Sequence, residues 1–146
     1  VSCGYKRVFS LVGTDAGMER QLPPCVEVVS AEKQKDVFLM QVFLYPMFKI
    51  YPMNASYVLY VEKPFDLIWL DFFGSAFEGD NWTSCIQASK KLNTDGTIFV
   101  TSGHRNSCGG VYDAEAKFSL LGLCINDVKT YINNGMKMSL FTLTKE

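Results

Sequence analysis

Residues that could carry acid–base or nucleophilic chemistry are few in this chain. Histidine occurs once, at His104, in a segment whose composition indicates a polar loop. A Ser-His-Asp site would have to use this imidazole, but no serine lies in the Gly-x-Ser-x-Gly turn that exposes a hydrolase nucleophile. Asp66 and Asp71 could form a carboxylate pair, yet strand parity places them on opposite faces of a strand. The residues therefore predict that the protein is not an enzyme, with a hydrolase that uses His104 as an alternative.

The sequence also lacks the motifs of common cofactor and metal sites. One imidazole cannot build a histidine-rich metal site, and there is no glycine-rich phosphate loop or EF-hand string. Lys plus Arg is 14 and Asp plus Glu is 15, which gives a formal charge of −1. Nucleic-acid binding needs a basic excess. We therefore predict no cofactor, no metal and no nucleic-acid partner.

The five cysteines are the strongest chemical signal in the sequence. They are Cys3, Cys25, Cys85, Cys108 and Cys124, and none of the gaps is that of a zinc knuckle or a redox pair. Widely spaced cysteines in a chain of this size are typical of a disulfide framework in a secreted protein. The odd cysteine would then be either a buried free thiol or bonded to a second chain.

Two glycosylation sequons indicate the same extracellular compartment, although the motif also occurs by chance. They begin at Asn54 and Asn81. No apolar run approaches the roughly 18 residues of a membrane span. The chain starts at Val1 without a basic and apolar leader, which predicts that any signal peptide is already removed. We expect a secreted glycoprotein with no membrane insertion.

Short runs rich in Val, Ile, Thr, Tyr and Phe favour strands along most of the chain. The predicted strands are Lys6–Val12, Val26–Ser30, Val37–Leu44, Tyr57–Val61, Phe65–Phe72, Thr97–Thr101, Lys117–Cys124, Val128–Ile132 and Met136–Leu143. Asn93-Thr94-Asp95-Gly96 predicts a hairpin, because Gly after Asp supplies the positive φ that tight turns require. Asn133-Asn134-Gly135 predicts a turn. Phe65–Phe72 is apolar on both faces, which indicates a sandwich interior or a covered sheet. The pattern predicts one domain over residues 1–146, an all-β, antiparallel β-sandwich.

Three stretches, taken in order, resemble the ZP-N domain, the immunoglobulin-like module of egg-coat and other zona pellucida proteins. They are Val1–Val12 with its Cys-Gly pair, the region from Cys85 through Asp95-Gly96 to Cys108-Gly109-Gly110, and Val128–Asn134 with the family tyrosine at Tyr131. One departure is that the last cysteine precedes Tyr131, whereas the family's fourth cysteine usually follows it. The resemblance covers most of the chain and implies an immunoglobulin-like, disulfide-bonded sandwich.

The resemblance also implies a pattern of disulfide bonds. Cys85 would be bonded to Cys108, as the family's second and third cysteines are. Cys3 would pair with Cys124, and the competing pairing joins Cys25 to either of them. Cys25 is then the candidate for a bond between chains, which would give a disulfide-linked homodimer.

The function that the resemblance implies is structural. The chain would be one module of a longer egg-coat protein in the extracellular vitelline envelope, where it assembles into filaments with other ZP modules. A lysin-like sperm protein would bind it without chemistry during fertilisation. An alternative of another class is a secreted viral or parasite immunoglobulin-like protein that binds a host protein.

The segment Val37–Met53 is the predicted partner contact, because its apolar side chains exceed what one strand face can bury. These side chains could equally form part of the core. The candidates are Phe38, Met40, Phe43, Tyr45, Met47, Phe48 and Tyr51.

Overall fold

Strands and helices alternate along the first two thirds of the chain. The computed structural model describes residues 5–13, 16–17, 19–104 and 111–146. The elements of this part are β1 Arg7–Ser10, a short 3-10 helix Glu19–Gln21, β2 Glu27–Ala31, α1 Lys35–Leu44, β3 Lys49–Tyr51, α2 Ala55–Val61, β4 Phe65–Asp71, α3 Gly79–Lys90, β5 Leu92–His104, α4 Val111–Leu120, β6 Leu123–Asn133 and β7 Met136–Lys145. The chain is therefore an α/β protein.

All of these strands belong to one sheet in the order β3-β2-β1-β4-β5-β7-β6. The neighbours from β3 to β5 are parallel, whereas β7 runs antiparallel to both β5 and β6. Parallel neighbours need a crossover connection, and α1, α2 and α3 provide three of them. The chain moves outward from β1 to β3 and then returns to β4, so the strand order reverses between β1 and β4.

The main core lies between one face of the sheet and the helices α2, α3 and α4. Buried apolar side chains from this sheet face include Phe9, Ile68 and Phe141, and α4 contributes Phe118. The rings of Phe118 and Phe141 meet edge to face, with centroids 5.4 Å apart. Helix α1 instead lies beside β3, where Tyr45 closes a smaller cluster with Val12.

The predicted all-β sandwich is wrong, because three of the predicted strands are helices. Val37–Leu44 forms most of α1, Tyr57–Val61 forms most of α2, and most of Lys117–Cys124 lies in or just after α4. A short apolar run has neither a clear period of two nor one of 3.6, so periodicity does not separate a buried strand from a helix. The apolar faces of Phe65–Phe72 belong to β4, a central parallel strand, which is the covered-sheet alternative.

The predicted hairpin at Asp95-Gly96 is also absent, because both residues lie inside β5. Gly96 is there for a different reason. A Cβ atom at this position would come within 2.8 Å of the carbonyl oxygen of Asp66, so β4 and β5 approach too closely for a side chain. The turn at Asn134-Gly135 is confirmed, with φ values of 50° and 77° between β6 and β7.

The cysteines do not form the predicted framework. Cys85 is a buried free thiol in α3, and its Sγ atom lies 3.9 Å from the carbonyl oxygen of Ala76. Cys124 is a free thiol as well, so the Cys85–Cys108 and Cys3–Cys124 bonds are wrong. Cys25 takes part in a disulfide bond in this single chain, which leaves no thiol there for the predicted link between chains. Cys3 and Cys108 themselves lie outside the described residues.

Alkylation of the native protein should distinguish Cys85 from Cys124, the two thiols that are free in the described part of the structure. Burial raises the pKa of Cys85 to about 12, and its side chain is almost fully enclosed. We expect iodoacetamide to modify Cys124 at least about 100-fold faster than Cys85, because a buried neutral thiol reacts only after local unfolding. Peptide mass mapping after timed labelling would measure both rates. Equal rates, or a Cys85 that cannot be labelled even in denaturant, would contradict the structure.

Candidate functional site

A cavity of about 860 Å³ opens at the carboxyl ends of the central strands. It lies where the strand order reverses between β1 and β4, which is the place where open α/β sheets bind their ligands. The turns after β1, β2 and β3, the end of β4 and the start of α3 all contribute to its walls. The residues that line it are Leu11, Val12, Gly13, Gly17, Glu19, Ala31, Glu32, Lys33, Met53, Asn54, Ala55, Trp69, Asp71, Phe72, Phe73, Asp80, Asn81 and Ser84.

The floor of the cavity beside β1 is held by buried hydrogen bonds. The Ser10 hydroxyl donates to Oε1 of Glu19 at 2.5 Å, and both side chains are buried. The N–H of Val12 donates to Oγ of Ser30 at 3.1 Å, while its carbonyl accepts from Nε2 of Gln41 at 2.6 Å. Both backbone polar groups of Val12 are therefore satisfied, which fixes the start of the turn that follows β1.

Glu32 follows β2 directly, on the side of the cavity away from β4. Its backbone N–H donates to the carbonyl of Tyr51 at 2.9 Å, and its Oε2 accepts from the N–H of Gln34 at 3.1 Å. These contacts hold a half-buried carboxylate at the cavity wall. Among the described residues Oε1 has no hydrogen-bond donor, so this oxygen is available to a ligand.

Asp71 closes the other side of the cavity at the end of β4. Its Oδ1 accepts from the hydroxyl of Thr101 at 2.8 Å, and the same hydroxyl lies 3.1 Å from the carbonyl of Phe72. Partial burial and the nearby negative charge of Asp71 raise the pKa of Tyr131. Tyr131 is 41% exposed on β6, where it pairs with Met138, and Met138 pairs with Gly103 of β5. The tyrosine that the ZP-N resemblance singled out thus lies on β6, outside the residues that line the cavity.

The charges that line the cavity are mostly negative. Among the described residues that line it, four are acidic and one is a lysine; they are Glu19, Glu32, Asp71, Asp80 and Lys33. An acidic cavity attracts a cationic ligand and repels a phosphate-rich one. Between the carboxylates the walls are apolar, with Leu11, Met53 and the half-buried Trp69. No group of three or more metal-binding side chains occurs among the residues that the structure describes.

The structure places the predicted glycosylation sites at the cavity. Asn54 is the exposed residue before α2, and Asn81 is half-buried in α3, where its amide donates to the carbonyl of Ser75 at 3.0 Å. Use of either sequon stays a prediction. His104 ends β5, and its side chain lies outside the described part of the structure. Among all the residues that the structure describes, none of the helices has the length and the apolar composition of a membrane-spanning helix.

The predicted partner segment does not form one surface. Tyr45 is buried, and three further candidates are half-buried: Phe38, Phe48 and Tyr51. Met40, Phe43 and Met47 are exposed by 49%, 83% and 69%. The two alternatives for this segment, core and surface, therefore each describe part of it.

Sequence reasoning named Asn54, Asp71 and Asn81 for other roles and missed the remaining residues that line the cavity. Glu32 was the one with a recognisable signal, since it follows a predicted strand and lies about 20 residues after Gly13. In nucleotide-binding α/β folds an acidic residue at this spacing binds the ribose. The other lining residues come from separate strands, helices and turns, so only the sheet order brings them together.

No family model matches the sequence, and no curated protein matches it significantly. Solved structures do match. TrmN from Thermus thermophilus has a TM-score of 0.74 at 13% identity and covers 98% of this chain. An O-methyltransferase from Brevibacillus brevis in complex with S-adenosyl-L-homocysteine has a TM-score of 0.75 at 12% identity and covers 97%. A TehB-like SAM-dependent methyltransferase from Corynebacterium glutamicum has a TM-score of 0.71 at 16% identity and covers 100%. The fold is that of SAM-dependent methyltransferases.

These methyltransferase structures differ in length. The chain spans 44% of TrmN, 67% of the O-methyltransferase and 83% of the TehB-like protein.

The methyltransferase fold overturns the resemblance to ZP-N. The egg-coat function, assembly with ZP modules and binding by a sperm protein rested on that resemblance, and they are wrong. The prediction that the protein is not an enzyme rested on the scarcity of catalytic residues and motifs, and the similarity to methyltransferase structures contradicts it. The alternative of a viral or parasite immunoglobulin-like protein is wrong for the same reason, because the sheet is mostly parallel. Secretion and the single-domain organisation stay predictions.

Proposed function

We propose that this protein binds S-adenosylmethionine (SAM) in the cavity between β1 and β4 and transfers its methyl group to an acceptor. The observation that carries the proposal is an acidic cavity at the strand-order reversal of a methyltransferase fold. The TehB-like structure is named as SAM-dependent, and the Brevibacillus structure holds S-adenosyl-L-homocysteine, the product that SAM leaves after methyl transfer.

The side chains that line the cavity fit SAM. The ribose diol of SAM needs a hydrogen-bond acceptor, and Glu32 offers a carboxylate oxygen at the end of β2. The adenine ring needs apolar contacts, which Leu11 and Met53 provide. The sulfonium and the α-ammonium of SAM are cationic, and Glu19 and Asp71 place negative charge on the floor and on the β4 side. A dinucleotide cofactor fits less well, because its pyrophosphate would face the same carboxylates.

When bound, SAM supplies an electrophilic methyl group on its sulfonium. The chain's own residues then bind and orient the reactants. Glu32 follows β2 and Asp71 ends β4, and one strand separates these two, so the backbones that carry the two carboxylates are about 10 Å apart across the cavity. When Glu32 binds the ribose of SAM, Asp71 lies on the opposite side of the cavity, where the methyl acceptor would bind. Its second carboxylate oxygen has no donor among the described residues and can accept a hydrogen bond or a proton from the attacking group.

Calorimetric titration with SAM and with S-adenosyl-L-homocysteine tests this function directly. We expect both to bind with micromolar affinity, and we expect NAD to bind at least about 100-fold more weakly because of its phosphates. Trp69 lines the cavity, so binding should also change the tryptophan fluorescence. Equal affinity for NAD and SAM, or no binding of either SAM species, would refute the proposal.

A further inference from the structure

Helix α1 carries an apolar surface that no described part of the chain covers. Five of its residues and one in the following turn are exposed by between 42% and 83%: Leu39, Met40, Val42, Phe43, Leu44 and Met47. No charged residue occurs from Val37 to Phe48. We call these six residues the α1 face. It lies on the flank of the sheet beside the edge strand β3, away from the core under α2, α3 and α4.

The pattern of burial on α1 is unusual for a surface helix. Such a helix normally turns its apolar stripe toward the core and its polar residues outward. In α1 the fully buried residue is the polar Gln41, whose amide donates to the carbonyl of Val12, while Phe43 is 83% exposed. In α1 the polar side chain of Gln41 is therefore buried, while the apolar side chains of the α1 face are exposed to solvent. A second apolar surface is needed to remove them from water.

The size of the α1 face fits an interface between two protein chains. Six side chains of this kind, exposed on average by more than half, present roughly 600 Å² of apolar surface. This equals the largest apolar patch of a typical monomer and approaches the roughly 800 Å² that each partner buries in a standard complex. The area of the α1 face is therefore on the scale of one side of a protein–protein interface.

The chemistry of the α1 face favours a second copy of the same chain. Homodimer interfaces are more apolar than transient ones, and this face carries no charge that would select a differently charged partner. It lies on one helix and the turn that follows it, so a two-fold axis near Phe43 sets the face against itself. A lipid surface fits less well, because a helix that lies in a membrane interface combines its apolar side with a basic one. The described exposed residues of α1 itself offer one lysine, Lys35, and the neighbouring Asp36 offsets it.

We infer that the protein forms a non-covalent homodimer in which the α1 faces of two copies pack together. This inference does not depend on methyl transfer or on any cysteine. Phe43 is the centre of the interface, because it is the largest and most exposed side chain of the face. Leu39 lies one helical turn before it and extends the same stripe.

Sedimentation equilibrium of the full chain at micromolar concentrations, in reducing and non-reducing buffer, tests the homodimer. We expect twice the chain's mass in both buffers. Phe43→Glu should weaken self-association by roughly 100-fold, because it places two buried carboxylates against each other, and Leu39→Glu should act in the same direction. Leu120→Glu is the matched control, since Leu120 is 84% exposed at the end of α4 and should leave the dimer unchanged. Circular dichroism verifies that all three variants are folded.

Three outcomes would overturn the homodimer. One is a wild-type chain that is monomeric at every concentration. The second is a dimer that Leu120→Glu disrupts as strongly as Phe43→Glu, which would place the contact elsewhere. The third is a monomer that sediments with phosphatidylcholine vesicles and loses this property in Phe43→Glu, which would assign the α1 face to lipid.

Discussion

The Glu32→Gln variant should bind SAM about 10- to 100-fold more weakly than the wild-type chain. A hydrogen bond from a ligand hydroxyl to a carboxylate contributes about 1.5–3 kcal/mol, and a neutral amide oxygen accepts less strongly. The substitution keeps the size of the side chain. The backbone bond from Glu32 to Tyr51 does not involve the carboxylate, so the turn after β2 should stay in place. Titration calorimetry of both proteins with S-adenosyl-L-homocysteine measures the effect.

The Glu115→Gln variant is the matched control for Glu32→Gln. Glu115 is exposed on α4, outside the residues that line the cavity, and the substitution removes the same charge. We expect wild-type affinity for it. If both variants lose affinity equally, the effect comes from net charge, and Glu32 does not contact the ligand. If Glu32→Gln binds like the wild type, the ribose lies elsewhere in the cavity.

Some elements of the sheet could be predicted from the sequence because they carry local signals. Runs of β-branched and aromatic residues indicate β1, β2 and β4, and the structure has strands there. The turn at Asn134-Gly135 needs positive φ at both residues, so its sequence alone predicts the hairpin. These signals fix where a strand lies and leave open which strand lies beside it.

The helices were harder to predict, and they decide the fold class. α1 has no polar stripe of helical period, because its apolar residues face outward as well as inward. α2 is seven residues long and rich in Tyr and Val, which favours a strand in isolation. Packing of Val58 and Leu59 against α3 and the sheet overrides that preference. Once these two helices are read as strands, a parallel α/β sheet becomes an apparent β-sandwich.

The candidate site could not be predicted from the sequence, because its residues are far apart along the chain. Glu19 lies in the 3-10 helix after β1, Glu32 follows β2 and Asp71 ends β4. They line one cavity because β1 lies between β2 and β4 in the sheet. The bonding state of the cysteines could not be predicted from the sequence either. Cys85 lies in a helical core position, where a thiol behaves as a small apolar side chain, and its spacing from other cysteines carries no information about bonding.

The Glu62→Gln variant should lose about 3 kcal/mol of stability at neutral pH. Glu62 follows α2 and is 7% exposed. Its carboxylate accepts from Nη2 of Arg7 at 2.7 Å, from Nζ of Lys49 at 3.0 Å and from the hydroxyl of Tyr51. Removing the acid leaves Arg7 without its most buried partner, and breaking one side of a buried ion pair costs several kcal/mol. Urea unfolding at pH 7 measures the loss.

The same carboxylate makes the stability depend on pH. Burial by itself would raise the pKa of Glu62, but hydrogen bonds from Tyr51, Lys49 and Arg7 lower it from 4.5 to about 2. Between these two values the unfolded chain binds a proton that the folded chain does not, so stability falls as the pH falls. The contribution is complete above about pH 4.5 and amounts to roughly 3 kcal/mol, which is lost toward pH 2.

Glu27→Gln separates this effect from a general loss of surface charge. Glu27 also pairs with Arg7, at 2.8 Å, but its side chain is 49% exposed, and an exposed pair contributes at most about 1 kcal/mol. Wild type and Glu27→Gln should therefore lose stability steeply between about pH 4.5 and pH 2, whereas Glu62→Gln should start lower and change less over that window. Parallel pH profiles for wild type and Glu62→Gln would mean that other carboxylates govern acid unfolding, and that Arg7 and Lys49 tolerate the loss of their shared partner.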